Sequence, residues 1–135
     1  MFRTPSDKPL ILVVDDDLST REILRLLLIG EGFRVATSDD GAAALEQLRQ
    51  DARPDLILLD LMMPILDGWQ FRHEQLSDPR LADIPVIVCS AAARLSQRAE
   101  GLQALAHLEK PIEPEELISL VRRFYPHPVE KTPRT

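Results

Sequence analysis

Residues 9–17 read PLILVVDDD, and residues 54–68 read PDLILLDLMMPILDG. Each holds an apolar run of strand length, Leu10–Val14 and Asp55–Leu59, introduced by a proline and closed by aspartate. A strand with one wet face alternates apolar and polar side chains. An unbroken apolar run is buried on both faces, which indicates a parallel sheet covered by helices on either side. Parallel neighbours need crossover connections long enough to hold a helix, so helical segments are expected between such runs.

Working outward, those segments are present. Ser19-Thr20-Arg21-Glu22 fits a capping box and predicts a helix to about Glu31, stopped by Gly30 and Gly32. Phe33–Thr37 is a second strand. Asp39-Asp40-Gly41 opens a helix from about Gly41 to Gln50. Pro64 breaks the chain before a helix over Asp67–Leu76. Pro85 introduces a fourth strand, Val86–Cys89. A weaker helical pattern lies within Ala92–Gln103, and a short fifth strand covers about Ala106–Leu108. Glu113-Pro114-Glu115-Glu116 starts a last helix, with proline in its first turn and acids at its positive end. There Leu117, Leu120, Val121 and Phe124 keep helical spacing. The pattern is (βα)5. Right-handed crossovers then favour an α/β fold of flavodoxin-like type, a doubly wound parallel sheet in strand order 2-1-3-4-5. The expected domain spans residues 9–125, with flexible tails over residues 1–8 and 126–135.

Composition narrows the function. A chain of 135 residues suits one domain. Its 22 Asp and Glu against 16 Lys and Arg give a net charge of -6, the wrong sign for tracking a nucleic-acid backbone. No apolar run reaches the length of a membrane span, and Met1–Pro9 lacks the apolar core of a signal peptide. A single cysteine, Cys89, allows no internal disulfide and fits a reducing, cytoplasmic setting. Nucleic acid and membrane are therefore not expected as direct partners.

What stands at the carboxyl ends of the strands carries the chemistry. Asp15, Asp16 and Asp17 follow the first run, Asp60 the third, Ser90 the fourth, and Lys110-Pro111 the fifth. In an open parallel sheet these ends share one edge, and ligands bind in the crevice beyond it. Clustered carboxylates repel one another, and a hard divalent cation such as Mg²⁺ relieves the repulsion. An aspartate so screened can attack phosphorus and form an aspartyl phosphate. A metal ion, an ammonium and a hydroxyl then offset charge on the phosphoryl oxygens.

Val13-Val14-Asp15-Asp16, Asp60 through Gly68, Ser90-Ala91 and Lys110-Pro111 together resemble the receiver domain of two-component response regulators, over about Pro9 to Phe124. Four short motifs in order, each at a strand end, make the likeness specific. The resemblance implies that Asp60 is the phosphoacceptor, and that Asp16 and Asp60 ligate Mg²⁺ (or Mn²⁺) directly. It also implies that Asp15 acts largely through water and Met62 lends its backbone carbonyl, while Ser90 and Lys110 contact the phosphoryl oxygens. The Lys110–Pro111 peptide is cis in many such domains. The implied partners are a histidine kinase or histidine phosphotransfer protein and a downstream protein target. The implied role is a phosphoacceptor that assists its own phosphorylation and slow dephosphorylation, rather than an enzyme. The residues after Phe124 are too few for an output domain, so a stand-alone receiver that signals by binding is expected.

Departures from the family pattern also carry information. The aromatic switch position three before the lysine holds His107, whose imidazole can move or titrate instead. The stretch from Ser90 to Lys110 is slightly short. Met62 and Ala92, two after Asp60 and Ser90, cannot orient a hydrolytic water, so a long-lived phosphoryl group is expected.

Two competing functions remain. One is a pseudo-receiver that binds partners without phosphorylation. The other is a phosphohydrolase, because Asp15-Asp16-Asp17-Leu18-Ser19 loosely resembles the nucleophile motif of haloacid-dehalogenase-like enzymes, with Asp15 as nucleophile and Asp17 as acid/base. That reading leaves Asp60 and Lys110 idle. Plainer roles suit other residues: Asp17 as a loop or capping acid, Cys89 as core, His73 and His127 as surface, and Trp69 and Phe71 as packing. The first helix holds more apolar residues than one buried stripe needs. Leu24 and Leu28 are its candidates for an outward face that meets a partner.

Overall fold

The computed structural model describes residues 8–50, 53–91 and 102–126. Its strands are β1 (Leu10–Val14), β2 (Arg34–Ser38), β3 (Leu56–Asp60), β4 (Val86–Ser90) and β5 (Ala106–Glu109). Its helices are α1 (Leu18–Gly30), α2 (Gly41–Gln50), α3 (Gly68–Ser77) and α4 (Pro114–Phe124). The sheet order is β2-β1-β3-β4-β5, and each neighbouring pair is parallel. The expected α/β architecture and strand order are therefore present. Of the helix expected within Ala92–Gln103, residues 92–101 lie outside the described residues, as does most of both expected tails.

Strand periodicity divides the core in two. Leu12, Val14, Ile57, Leu59, Val86 and Val88 face α2 and α3. Ile11, Val13, Leu56, Leu58, Ile87 and Cys89 face α1 and α4. All these side chains are 2% exposed or less, as unbroken apolar runs require. Most boundaries fall within a residue of those expected, but the first helix start differs. Ser19 is not its cap. Asp17 is, accepting the Thr20 amide at 2.8 Å and the Thr20 hydroxyl at 2.6 Å. Asp17 stands immediately before the first helical residue, Leu18, whereas Ser19 lies inside the helix, so Asp17 fills the capping role that suited it from the sequence.

Two glycines brace the loop after β3. A Cβ on Gly68 would lie 2.6 Å from Leu61 Cα and 2.7 Å from the Asp60 carbonyl oxygen. One on Gly41 would lie 2.5 Å from the Leu66 carbonyl oxygen. The first turn of α3 thus presses on the backbone that carries Asp60, and that of α2 on Leu66 further along the same loop. A capping box between Asp67 and Gln70 fixes the start of α3. Proline in the first turn, with Glu113 before it, starts α4.

α3 has almost no apolar stripe, because it buries polar residues instead. Arg72 donates to the carbonyls of Leu102 at 2.8 Å and Gln103 at 2.9 Å, and to Gln75 Oε1 at 2.7 Å. Gln75, fully buried, donates to the carbonyls of Leu81 and Ile84 at 2.8 and 3.0 Å. The network ties α3 to the entries of both β4 and β5.

Candidate functional site

The period of two along a strand decides which residues meet. Asp15 is in phase with Ile11 and Val13, Asp60 with Leu56 and Leu58, and Lys110 with Leu108; all face the α1/α4 side. Lys110 Nζ reaches Asp15 Oδ2 at 2.7 Å and Asp60 Oδ1 at 3.4 Å, across 95 residues of sequence in the first case. Asp15 is held on every side. Its amide donates to the Ser38 carbonyl at 3.1 Å, its Oδ1 accepts the Asp17 amide at 2.9 Å, and its carbonyl accepts Arg21 Nη1 at 2.8 Å. Asp60 Oδ1 also accepts the Met62 amide, at 3.3 Å. Asp15 and Asp60 are 2% and 5% exposed, whereas Asp16 is exposed. The Lys110–Pro111 peptide is cis.

Electrostatics separates the groups. Burial first, and the neighbouring Asp15 charge second, push Asp60 up from 3.8 to about 6 against the pull of Lys110. Burial pulls the Lys110 ammonium down, but the hydrogen bond to Asp15 and both carboxylate charges outweigh it and raise its pKa. Burial pushes the Cys89 thiol up to about 12, so it is a core group and not a nucleophile. The hydrogen bonds from Thr20 hold the Asp17 carboxyl below its usual value. Its side chain serves α1 as a cap, which leaves it poorly placed as the acid/base of a phosphohydrolase.

Carboxylate oxygens of Asp15, Asp16 and Asp60 all lie within 4.8 Å of one another. Among the described residues these three face one ammonium, so the cluster is short of positive charge. Its donors are hard anionic oxygens, two of them on rigid strand ends. Such a set fits a hard divalent cation that keeps part of its water shell.

Other expected residues are placed less tightly. Ser90 ends β4, where its backbone pairs with Glu109. His107 pairs with Val88 and is half-buried in β5. Met62 has its side chain 57% exposed. Trp69 packs against the core and Phe71 is fully buried. Leu24 and Leu28 need correction: they are 3% and 0% exposed and point into the sheet, not outward. Helical spacing of four put them together correctly, but the phase of the stripe was inverted. The outward apolar residues of α1 are Leu18, Ile23, Leu26 and Ile29. Sequence reasoning passed over the roles of Arg21 and the Arg72–Gln75 pair, and it read Gly68 as a helix start without its close approach to the Asp60 and Leu61 backbone. The signal for that pair was a helix with polar residues at i and i+3 where an apolar stripe belonged.

The fold and site together define a class: a doubly wound domain with an acidic, lysine-bridged cluster at its carboxyl edge. The family model described as the response regulator receiver domain matches residues 11–122. The chain belongs to the response regulator receiver domain family. It is 43% identical over 114 residues to response regulator MprA of Mycobacterium ulcerans (strain Agy99), covering 83% of this chain and 48% of that protein. The MprA of Mycobacterium leprae (strain TN) is 42% identical over the same length, with 83% and 49% covered. The chain thus spans about half the length of these relatives. Among solved structures, a response regulator receiver protein from Pseudomonas putida is similar with a TM-score of 0.79 and 29% identity, covering 86% of this chain and 97% of that one. The chemotaxis response regulator CheY4 of Vibrio cholerae gives 0.79 and 28%, with 86% and 98% covered. Among the described residues no helix is long and apolar enough to cross a membrane.

Proposed function

We propose that this domain is the phosphoacceptor of a two-component or phosphorelay system, taking a phosphoryl group from a phosphohistidine donor onto Asp60. The observation that carries this is the buried pair Asp15–Asp60 bridged by Lys110 at 2.7 and 3.4 Å, on rigid strand ends at the sheet's ligand edge. An Asp60 carboxylate oxygen forms a bond to phosphorus, the bond from phosphorus to the donor imidazole nitrogen breaks, and the electron pair leaves with the imidazole. Lys110 stands ready to contact the phosphoryl oxygens, and Ser90 is assigned the same task. Asp15, Asp16, Asp60 and the Met62 carbonyl would hold Mg²⁺, or Mn²⁺ in its place. That ion supplies positive charge that offsets the carboxylates and the phosphoryl oxygens. The new charge biases a two-state surface toward a downstream protein, with Ser90 and His107 as the switch residues. The reading places the domain in the cytoplasm, beside kinase domains, as a signalling acceptor that assists its own phosphorylation and slow dephosphorylation.

The test is labelling by a small acyl phosphate. Wild type should label only with Mg²⁺ or Mn²⁺ present, and Asp60→Asn should not label while its circular dichroism is unchanged. Labelling that persists in Asp60→Asn, or that needs no divalent ion, refutes the assignment.

A further inference from the structure

Asp16 is the least supported of the three clustered carboxylates. It is exposed, and among the described residues no hydrogen bond or ion pair holds its side chain. Asp15 and Asp60 are nearly buried, and both meet Lys110. What aims the Asp16 carboxylate is therefore its own backbone, through the two peptide units that flank it. The unit after it is fixed from inside the loop, because the Asp17 amide donates to Asp15 Oδ1 at 2.9 Å. The unit before it is fixed from outside, because Arg21 Nη1 donates to the Asp15 carbonyl at 2.8 Å. A peptide unit is rigid and planar, so holding its carbonyl or its amide restricts the torsions on either side.

The outer contact is built into α1. Asp17 caps that helix, and the Arg21 amide donates to the Asp17 carbonyl at 2.9 Å in its first turn. Arg21 therefore starts from a fixed backbone position. Helical side chains lean toward the N-terminus, and this one, half-buried, runs back over the turn to the Asp15 carbonyl. The choice of acceptor is informative. The carboxylates of Asp17 and Glu22 lie within electrostatic reach, yet the guanidinium bonds to a carbonyl. Two opposed effects follow. By charge, Arg21 eases the repulsion among the acids and opposes an incoming cation. By geometry, it holds the ligand loop in the shape that an incoming cation needs.

We infer that Arg21 is a positioning residue for the divalent ion: its bond to the Asp15 carbonyl orients the Asp15–Asp16 peptide so that the Asp16 carboxylate converges with those of Asp15 and Asp60. This rests on the phosphoacceptor reading, in which these acids hold Mg²⁺ or Mn²⁺. Groups that orient metal ligands are worth about 10- to 100-fold in affinity. The opposing charge sits on a side chain in contact with solvent, where salt screens it. Geometry therefore outweighs charge, and losing Arg21 weakens ion binding although it removes a cation.

The test measures Mn²⁺ binding with no phosphodonor present, from the electron spin resonance of the free ion, for wild type, Arg21→Met, Arg21→Lys and Arg21→Gln. Methionine offers no donor. Lysine keeps both a donor and the charge. Glutamine is too short to reach the carbonyl and serves as the second loss variant if methionine disturbs the helix. Circular dichroism and the urea midpoint in EDTA check the fold of each. Arg21→Met should bind Mn²⁺ about tenfold more weakly than wild type, and Arg21→Lys should stay within about threefold. In an Asp16→Asn background, Arg21→Met should change the affinity by less than about twofold, because the ligand that it positions is gone. Unchanged or tighter binding by the loss variants overturns the inference, since charge then governs. Equal losses in Arg21→Lys and Arg21→Met overturn it too, as does a further tenfold loss in the Asp16→Asn background. Wild type that binds no Mn²⁺ overturns the metal site itself, and with it the reading on which the inference rests.

Discussion

Replacing the Asp60 carboxyl should make the metal-free domain more stable. Asp60 is 5% exposed and its carboxyl is pushed from 3.8 to about 6, chiefly by burial and then by Asp15. The folded state therefore holds this proton to higher pH than the unfolded chain does. The associated stability is present below the unfolded value and is lost as pH rises through about 6. The gap between 3.8 and about 6 corresponds to about 3 kcal/mol against the folded state at neutral pH. The pull of Lys110 is already contained in that shift. Asp60→Asn resembles the protonated carboxyl in size and charge, so with EDTA present it should gain about 3 kcal/mol, or about 10 °C in Tm for a domain of this size. Urea denaturation at neutral pH and in acid measures it. The gain should shrink to roughly 0.5 kcal/mol by about pH 4, where both folded proteins carry a neutral group. Saturating Mg²⁺ should close or invert the gap, because it stabilises the wild type through the oxygen the variant lacks. An Asp60→Asn protein less stable than wild type in EDTA at neutral pH would refute the account, as would a gain that does not fall on acidification.

Four further outcomes follow from the same contacts. Lys110→Met should raise the Asp60 pKa further, above about 6 in the metal-free domain, because the ammonium that lowers it is gone; carboxyl-carbon NMR against pH reads this directly. Gly68→Ala should cost roughly 2 kcal/mol or more and slow acyl-phosphate labelling, since the new Cβ meets the Asp60 and Leu61 backbone at 2.7 and 2.6 Å; an unchanged labelling rate would count against that bracing. Gln75→Ala should cost about 3 kcal/mol in urea denaturation, because it strips hydrogen bonds from two buried carbonyls and from Arg72. Phosphorylated wild type should lose its label over many minutes in purified form, with Met62 in place of a polar side chain beside Asp60; decay within seconds would contradict that.

The fold was largely legible because its signals are local and strong. Runs such as LILVV and LILLD are buried on both faces and cannot be mistaken for a wet sheet. The misplaced cap shows where such reading fails. Ser19 and Asp17 are both good caps, and only the path of the loop out of β1 decides between them. α1 failed in the same manner. Its apolar residues occupy both faces, so spacing groups Leu24 with Leu28 but cannot say which group meets the sheet. α3 hid its role more fully: polar residues where an apolar stripe belonged hint at burial, but the carbonyls of distant segments that satisfy a buried arginine leave no mark in the helix's own sequence.

The site was legible for a different reason. A carboxylate at the end of a buried strand is where charge and burial conflict, so one is notable and several at one edge are hard to explain without a positive partner. The alternation that buries Val13 and Leu58 also carries Asp15 and Asp60 to the same side of the sheet, and Leu108 does so for Lys110. Those residues could be paired from the chain alone because strand phase is a rule of two. Ile65 could not. Its sequence context is a proline followed by two apolar residues, which reads as the edge of a core. What sets it apart is a backbone angle of 71° that turns one of those residues outward and the next inward. Strand periodicity thus finds groups held by the sheet, and only backbone geometry finds a residue held away from it. The two meet within five residues, between the buried Asp60 carboxyl and the exposed Ile65.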